Sequence, residues 1–137
     1  MKMKKVIYGL LLLSVTVFAA TTISTKVISS EKEAILVFNE TLFDFGKVQQ
    51  GETLEHLFLF KNAGTANLII ESVHPSCGCT GATMGDKKEF APGESGEIKV
   101  TFNTQGREGI NSKTISVTSN DKKEPVKTLS FVCEILK

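Results

Sequence analysis

Two cysteines stand one residue apart in His74-Pro75-Ser76-Cys77-Gly78-Cys79-Thr80, and this is the segment of the chain whose residue types and spacing could do chemistry. Both thiolates of a Cys-Gly-Cys unit can chelate a soft ion such as Cu(I), with Gly78 letting the chain turn between them. His74, three residues before Cys77, could supply a third ligand. Zinc asks for four ligands, and no second cluster completes such a set. The same pair could instead cycle between dithiol and disulfide. A ring closed over a single residue is strained, and strained disulfides are the labile, oxidising ones. The remaining reading is structural: Cys77 and Cys79 close on each other, or one of them pairs with Cys133, and the bond pins a loop to the fold. Spacing alone leaves these three readings open.

The N-terminus bears on which of them applies. Met1-Lys2-Met3-Lys4-Lys5 carries three lysines and no acid, and an apolar run from Val6 to about Phe18 follows. This is the pattern of a secretory signal, residues 1–19, with Val17 and Ala19 as the small residues before the cleavage point. The run is short for a membrane span of about 20 residues, although Thr21-Thr22-Ile23 would extend it as an uncleaved anchor. Residues 20–33 read as a polar tether, and 34–137 as one domain of a size that buries a core without disulfide staples. Loss of the signal leaves thirteen basic against fifteen acidic residues. A nucleic-acid partner calls for a basic stripe, which the chain lacks. There is no Trp, and the one Tyr, Tyr8, lies in the signal, which weighs against aromatic platforms for sugars or bases. An odd count of three cysteines leaves at least one thiol free or paired with another chain.

From residue 34 onward the hydrophobic period is two, and Gly, Pro and Asn punctuate it. Expected strands are Ala34–Phe38, Leu42–Gly46, Thr53–Asn62, Leu68–Val73 stopped by Pro75, and one carrying Ile98, Val100 and Phe102. Two more follow, Thr114–Ser119 and a last one with Leu129, Phe131, Cys133 and Ile135 on a single face. In Thr53–Asn62, Leu54, His56, Phe58 and Phe60 share one face, but Leu57 and Leu59 make the other face apolar too, so it needs a cover or a partner. About seven short strands with frequent turns predict an all-β, two-sheet antiparallel sandwich of immunoglobulin type.

Phe43-Asp44-Phe45-Gly46, Gly51-Glu52-Thr53 and Phe58-Leu59-Phe60-Lys61-Asn62-Ala63-Gly64 begin a likeness to a known family. It becomes specific at Pro75-Ser76-Cys77-Gly78-Cys79-Thr80, Pro92-Gly93-Glu94-Ser95-Gly96 and Thr118-Ser119-Asn120. Together they resemble the bacterial exported family called domain of unknown function 1573, itself similar to the immunoglobulin-like modules of major sperm protein and of cilium-associated proteins. The likeness spans residues 36 to 137. It implies the fold and an extracytoplasmic home, and it implies no reaction. Two features depart from the family pattern: Gly81-Ala82-Thr83-Met84-Gly85-Asp86-Lys87-Lys88 replaces an apolar or aromatic segment, and Cys133 lies outside the motif.

Other candidates have plainer readings. His56 shares parity with core residues and reads as a partly buried, hydrogen-bonded histidine, while Cys133 reads as a small core hydrophobe. His74 lies two residues from Ser76, but no nucleophile elbow or oxyanion loop accompanies them. Asp44 is expected to tie down the turn at Gly46, and Asp121-Lys122-Lys123-Glu124 to be a solvated hairpin loop. The sequence thus leads to an exported, non-enzymatic immunoglobulin-like module without a cofactor, in the periplasm, on the cell surface or secreted. It would bind another protein or an envelope component, with the Cys77, Gly78 and Cys79 loop as the candidate binding element. Nucleic acid and, after signal cleavage, an integral membrane domain are not expected. The competing expectation is a periplasmic Cu(I)-binding or thiol–disulfide active protein, with Cys77, Cys79 and His74 as copper ligands.

Overall fold

Strict alternation of apolar and polar residues gives each strand one face that must leave water, and two such faces closed together form this fold. A computed structural model describes residues 29–137; the expected signal, 1–19, and tether residues 20–28 lie outside the described residues. The strands are β1 (Leu36–Phe38), β2 (Leu42–Gln49), β3 (Thr53–Asn62), β4 (Leu68–Pro75), β5 (Thr80–Thr83), β6 (Glu89–Phe90), β7 (Ser95–Asn103), β8 (Gly109–Ser119) and β9 (Val126–Leu136). They form a four-stranded sheet, β1-β3-β7-β5, and a five-stranded sheet, β2-β9-β8-β4-β6. No helix among the described residues is long and apolar enough to cross a membrane.

The alternating residues meet between the sheets. Phe58 and Phe60 of β3, Ile98, Val100 and Phe102 of β7, Ile115 and Val117 of β8, and Leu129 and Phe131 of β9 are fully buried. Cys133 is buried beside them, as its parity with Phe131 and Ile135 implied, and it has no disulfide partner. Gly96, opposite Phe60 in the β3–β7 ladder, has no room for a side chain: a Cβ there would lie 2.4 Å from the Phe60 ring and 2.6 Å from that of Phe90. Asn62, also fully buried, donates through Nδ2 to the carbonyls of Ala66 and Phe90, and its Oδ1 accepts from the Gly64 N–H. A single side chain thereby organises the turn after β3.

Four expectations need correction. The sandwich has nine strands rather than about seven, because β5 and β6 are too short for a period to show. It is also not wholly antiparallel, since β2 runs parallel to β9 with a register shift between Asp44 and Lys47. Alternation sorts residues to faces and carries no information about strand direction. The turn inside that shift is as expected, with the Gly46 N–H donating to Asp44 Oδ1 at 2.7 Å and Gly46 at φ 69°.

Pro75 does end β4, but as its last paired residue, opposite Ile115, so the strand runs two residues beyond Val73. Beside Pro75, β4 has only β8 as a neighbour, because β6 pairs no further than Leu68 and Ile69. A residue without an N–H is tolerated where no second strand needs one.

Asp121 is not solvated. Its carboxylate is buried and accepts backbone hydrogen bonds from Leu36, Lys123 and Glu124 at 3.0, 2.9 and 3.2 Å, which ties β1 to the β8–β9 hairpin. Burial by itself raises the carboxyl pKa, but the three N–H donors and the nearby Lys127 charge outweigh it and hold the group below its ordinary value. The end of the tether is drawn into the same region, with Glu33 accepting from the N–H groups of Thr65 and Ala66 through its carbonyl and pairing with Lys123 at 3.1 Å.

Candidate functional site

The cysteine motif is the crossing from one sheet to the other. β4 leaves the five-stranded sheet at Pro75, and β5 enters the edge of the four-stranded sheet at Thr80, four residues of loop apart. The loop is held at both ends by main-chain groups. Ser76 N–H donates to Thr114 O at 2.9 Å, Thr80 N–H to Cys77 O at 3.2 Å, and Asn103 N–H to Cys79 O at 3.3 Å.

Within this frame Cys77 and Cys79 are joined to each other, with Cα atoms 5.4 Å apart. Cys133 is not involved, so the connectivity that spacing left open is the local one. Both cysteines are half-buried, and Cys79 packs against the core. Beneath them lies Thr80, 3 % exposed, whose Oγ1 is 3.5 Å from Cys77 Sγ and 4.0 Å from Cys79 Sγ. Thr80 is the neighbour of both sulfurs that the sequence reading passed over. Its signal was its place directly after the second cysteine, at the point where the chain turns back into a strand.

Gly78 behaves differently from its expected role. Its φ is not in the left-handed region, and a Cβ there would meet nothing within 4 Å. Neither backbone conformation nor crowding requires glycine at the tip of the loop. His74, opposite Ser116 in the β4–β8 ladder, is exposed. Among the described residues no three His, Cys, Asp or Glu side chains gather as a metal-holding group.

His56 has the setting its parity implied. It stacks on Phe43 with ring centroids 3.6 Å apart, and its Nε2 lies 2.8 Å from Glu40 Oε1. The burial of Cys133, and secondarily the charge of Asp44, push its thiol pKa up, which keeps it protonated and unreactive.

A second feature lies on the outer face of the four-stranded sheet. Val37, Leu57 and Leu59 are 45, 44 and 45 % exposed. Leu57 and Leu59 face Lys99 and Glu97 across the β3–β7 ladder, and Val37 faces Lys61 across β1–β3. The Lys99–Glu55 ion pair, at 3.0 Å, borders a shallow depression lined by Glu55, His56, Leu57, Glu97 and Lys99. Nothing among the described residues covers this strip.

Two sheets packed face to face, with the first long strand parallel to the last, define an immunoglobulin-like, PapD-like sandwich, and solved structures bear this out. An ASH/PapD-like domain of human CEP192 superposes with a TM-score of 0.59 at 13 % identity, over 77 % of this chain and 87 % of that one. A protein of unknown function from Porphyromonas gingivalis W83 superposes with a TM-score of 0.66 at 24 % identity, over 74 % of this chain and 46 % of that one. The secreted serine protease VesC from Vibrio cholerae matches at 0.59 and 16 % identity, over 74 % of this chain and 23 % of the protease. The chain thus spans less than half of either bacterial protein. No curated protein matches it in sequence. The family described as Protein of unknown function (DUF1573) matches residues 36–135, and the chain belongs to that family.

Proposed function

We propose that the chain is an exported immunoglobulin-like module that binds another protein or an envelope component through the outer face of its four-stranded sheet. The observation that carries this reading is the strip of Val37, Leu57 and Leu59. Leu57 and Leu59 take successive outward positions of β3, with Val37 diagonal to Leu59 across the β1–β3 ladder, and the apolar area they keep in water gains free energy when a partner covers it. The charged residues beside the strip, Glu55, Glu97 and Lys99, form the polar rim usual around an apolar contact. The immunoglobulin-like and PapD-like architecture supports the reading, because it offers open faces and edges to partners. The basic N-terminus and apolar run of residues 1–19 support export.

The test is replacement of Leu57 and Leu59 by Thr, which keeps β-propensity and removes the apolar surface. With chemical cross-linking in the native host, the wild type should give a reproducible adduct that the double variant loses. A control variant, Ile69→Thr, exposed on the other sheet, should keep the adduct. An unchanged adduct in the double variant, with an unchanged melting transition, would show that binding does not use this face.

A further inference from the structure

We propose that the Cys77–Cys79 disulfide is a thiol–disulfide exchange site that accepts two electrons from a dithiol, with the buried hydroxyl of Thr80 stabilising the departing sulfur. Three observations carry this. The bond joins residues two apart in sequence, both within the loop between β4 and β5, so it fastens no element to another. The loop is already fixed by the main-chain bonds of Ser76, Thr80 and Asn103, so the scaffold does not depend on the bond being closed. The Thr80 hydroxyl, buried and within reach of both sulfurs, has its hydrogen-bond partners among them. A disulfide sulfur is a weak acceptor, whereas a thiolate is a strong, charged one. The hydroxyl therefore favours the state in which the bond has opened.

A thiolate of the dithiol attacks one sulfur of the pair, the Cys77–Cys79 bond breaks, and a mixed disulfide forms. The other cysteine leaves as a thiolate that accepts the Thr80 O–H. The second thiolate of the substrate then attacks its own sulfur in the mixed disulfide, closing the substrate's disulfide and releasing the second cysteine. The substrate is oxidised by two electrons, and its two protons end on Cys77 and Cys79. The open space around Gly78 leaves the loop tip unobstructed. Cys133, in the core, lies outside the exchange.

Dithiothreitol serves as the probe dithiol on the folded full chain, with reduction followed by alkylation and mass spectrometry. Thr80→Val should slow reduction about tenfold at neutral pH, and Thr80→Ser, which keeps the hydroxyl, should stay within about twofold of wild type. The Leu57→Thr/Leu59→Thr variant should react at the wild-type rate, because this inference does not rest on the binding face. Equal rates for Thr80→Val, Thr80→Ser and wild type would overturn the proposal, as would reduction that proceeds only at the rate of global unfolding. If Thr80→Val fails to fold, Cys79→Ala decides the matter. The lone Cys77 should then alkylate with iodoacetamide at a pH midpoint about one unit below that of the same protein in denaturant, and equal midpoints would overturn the proposal.

Discussion

Asp121 and the Cys77–Cys79 pair both cross-link the molecule, and they differ in what they hold. The carboxylate, without a covalent bond, reaches from the β8–β9 hairpin to Leu36, 85 residues away in sequence. The disulfide, a covalent bond, spans two residues of one loop. Cross-link stabilisation grows with the length of chain enclosed: a 15-residue loop gives about 3 kcal/mol, and a ring of a few residues much less. A bond from the loop to Cys133 would have enclosed more than fifty residues and given about 4 kcal/mol, yet Cys133 stays unpaired. Bond strength is therefore a poor guide to structural importance here. Topological reach decides it, and by that measure the staple of this fold is Asp121.

The largest effect expected from this contrast is at that carboxylate. Asp121→Ala leaves the N–H groups of Leu36, Lys123 and Glu124 without their acceptor and should cost about 3 kcal/mol in chemical denaturation. A loss below about 1 kcal/mol would break the comparison by showing that β1 is held by its ladder with β3 alone. A pH series sharpens it. Because the folded carboxyl is held below its unfolded value, its contribution is complete above about pH 4 and fades as pH falls through the folded pKa. The stability gap between wild type and Asp121→Asn should therefore be constant from pH 5 to 7 and narrow below about pH 4. A gap that does not change with pH would mean that the hydrogen bonds act independently of charge.

The same contrast explains what could be read from the residues. Ile98, Val100 and Phe102, or Leu129, Phe131, Cys133 and Ile135, declare their strands because core burial is written in local alternation, and the two-sheet sandwich follows from them. The role of Asp121 is not local. It lies in a lysine-flanked run that resembles a solvated turn, and its decisive partner, the Leu36 N–H, belongs to the first strand of the domain. The parallel pairing of β2 with β9 was hidden for a similar reason, since alternation is the same for either direction. Part of the cysteine site was legible: the motif marked the loop, and parity placed Cys133 inside. Which sulfurs join, and the Thr80 hydroxyl beneath them, depend on how β4 and β5 approach from different sheets.

On the disulfide side the expected effects are smaller. Cys77→Ser/Cys79→Ser removes the ring while leaving the main-chain bonds of the loop, so the variant should lose no more than about 1.5 kcal/mol and keep the wild-type denaturant slope. A loss equal to that of Asp121→Ala would turn the comparison around and make the ring the structural clip.

The smallest effect concerns the residue between the cysteines. Gly78→Ala places a methyl group in open space at a backbone conformation that alanine can adopt. Its main consequence then falls on the unfolded chain, where alanine has fewer conformations to lose than glycine, so the variant should be about 0.4–1 kcal/mol more stable. Denaturation of oxidised and reduced protein separates the two possible reasons for a glycine here. A destabilisation confined to the oxidised form would mean that closing the ring needs glycine's freedom and that the loop is tuned for the disulfide. Equal stabilisation of both forms would mean that the loop holds its shape whether the bond is open or closed, as an exchange site requires.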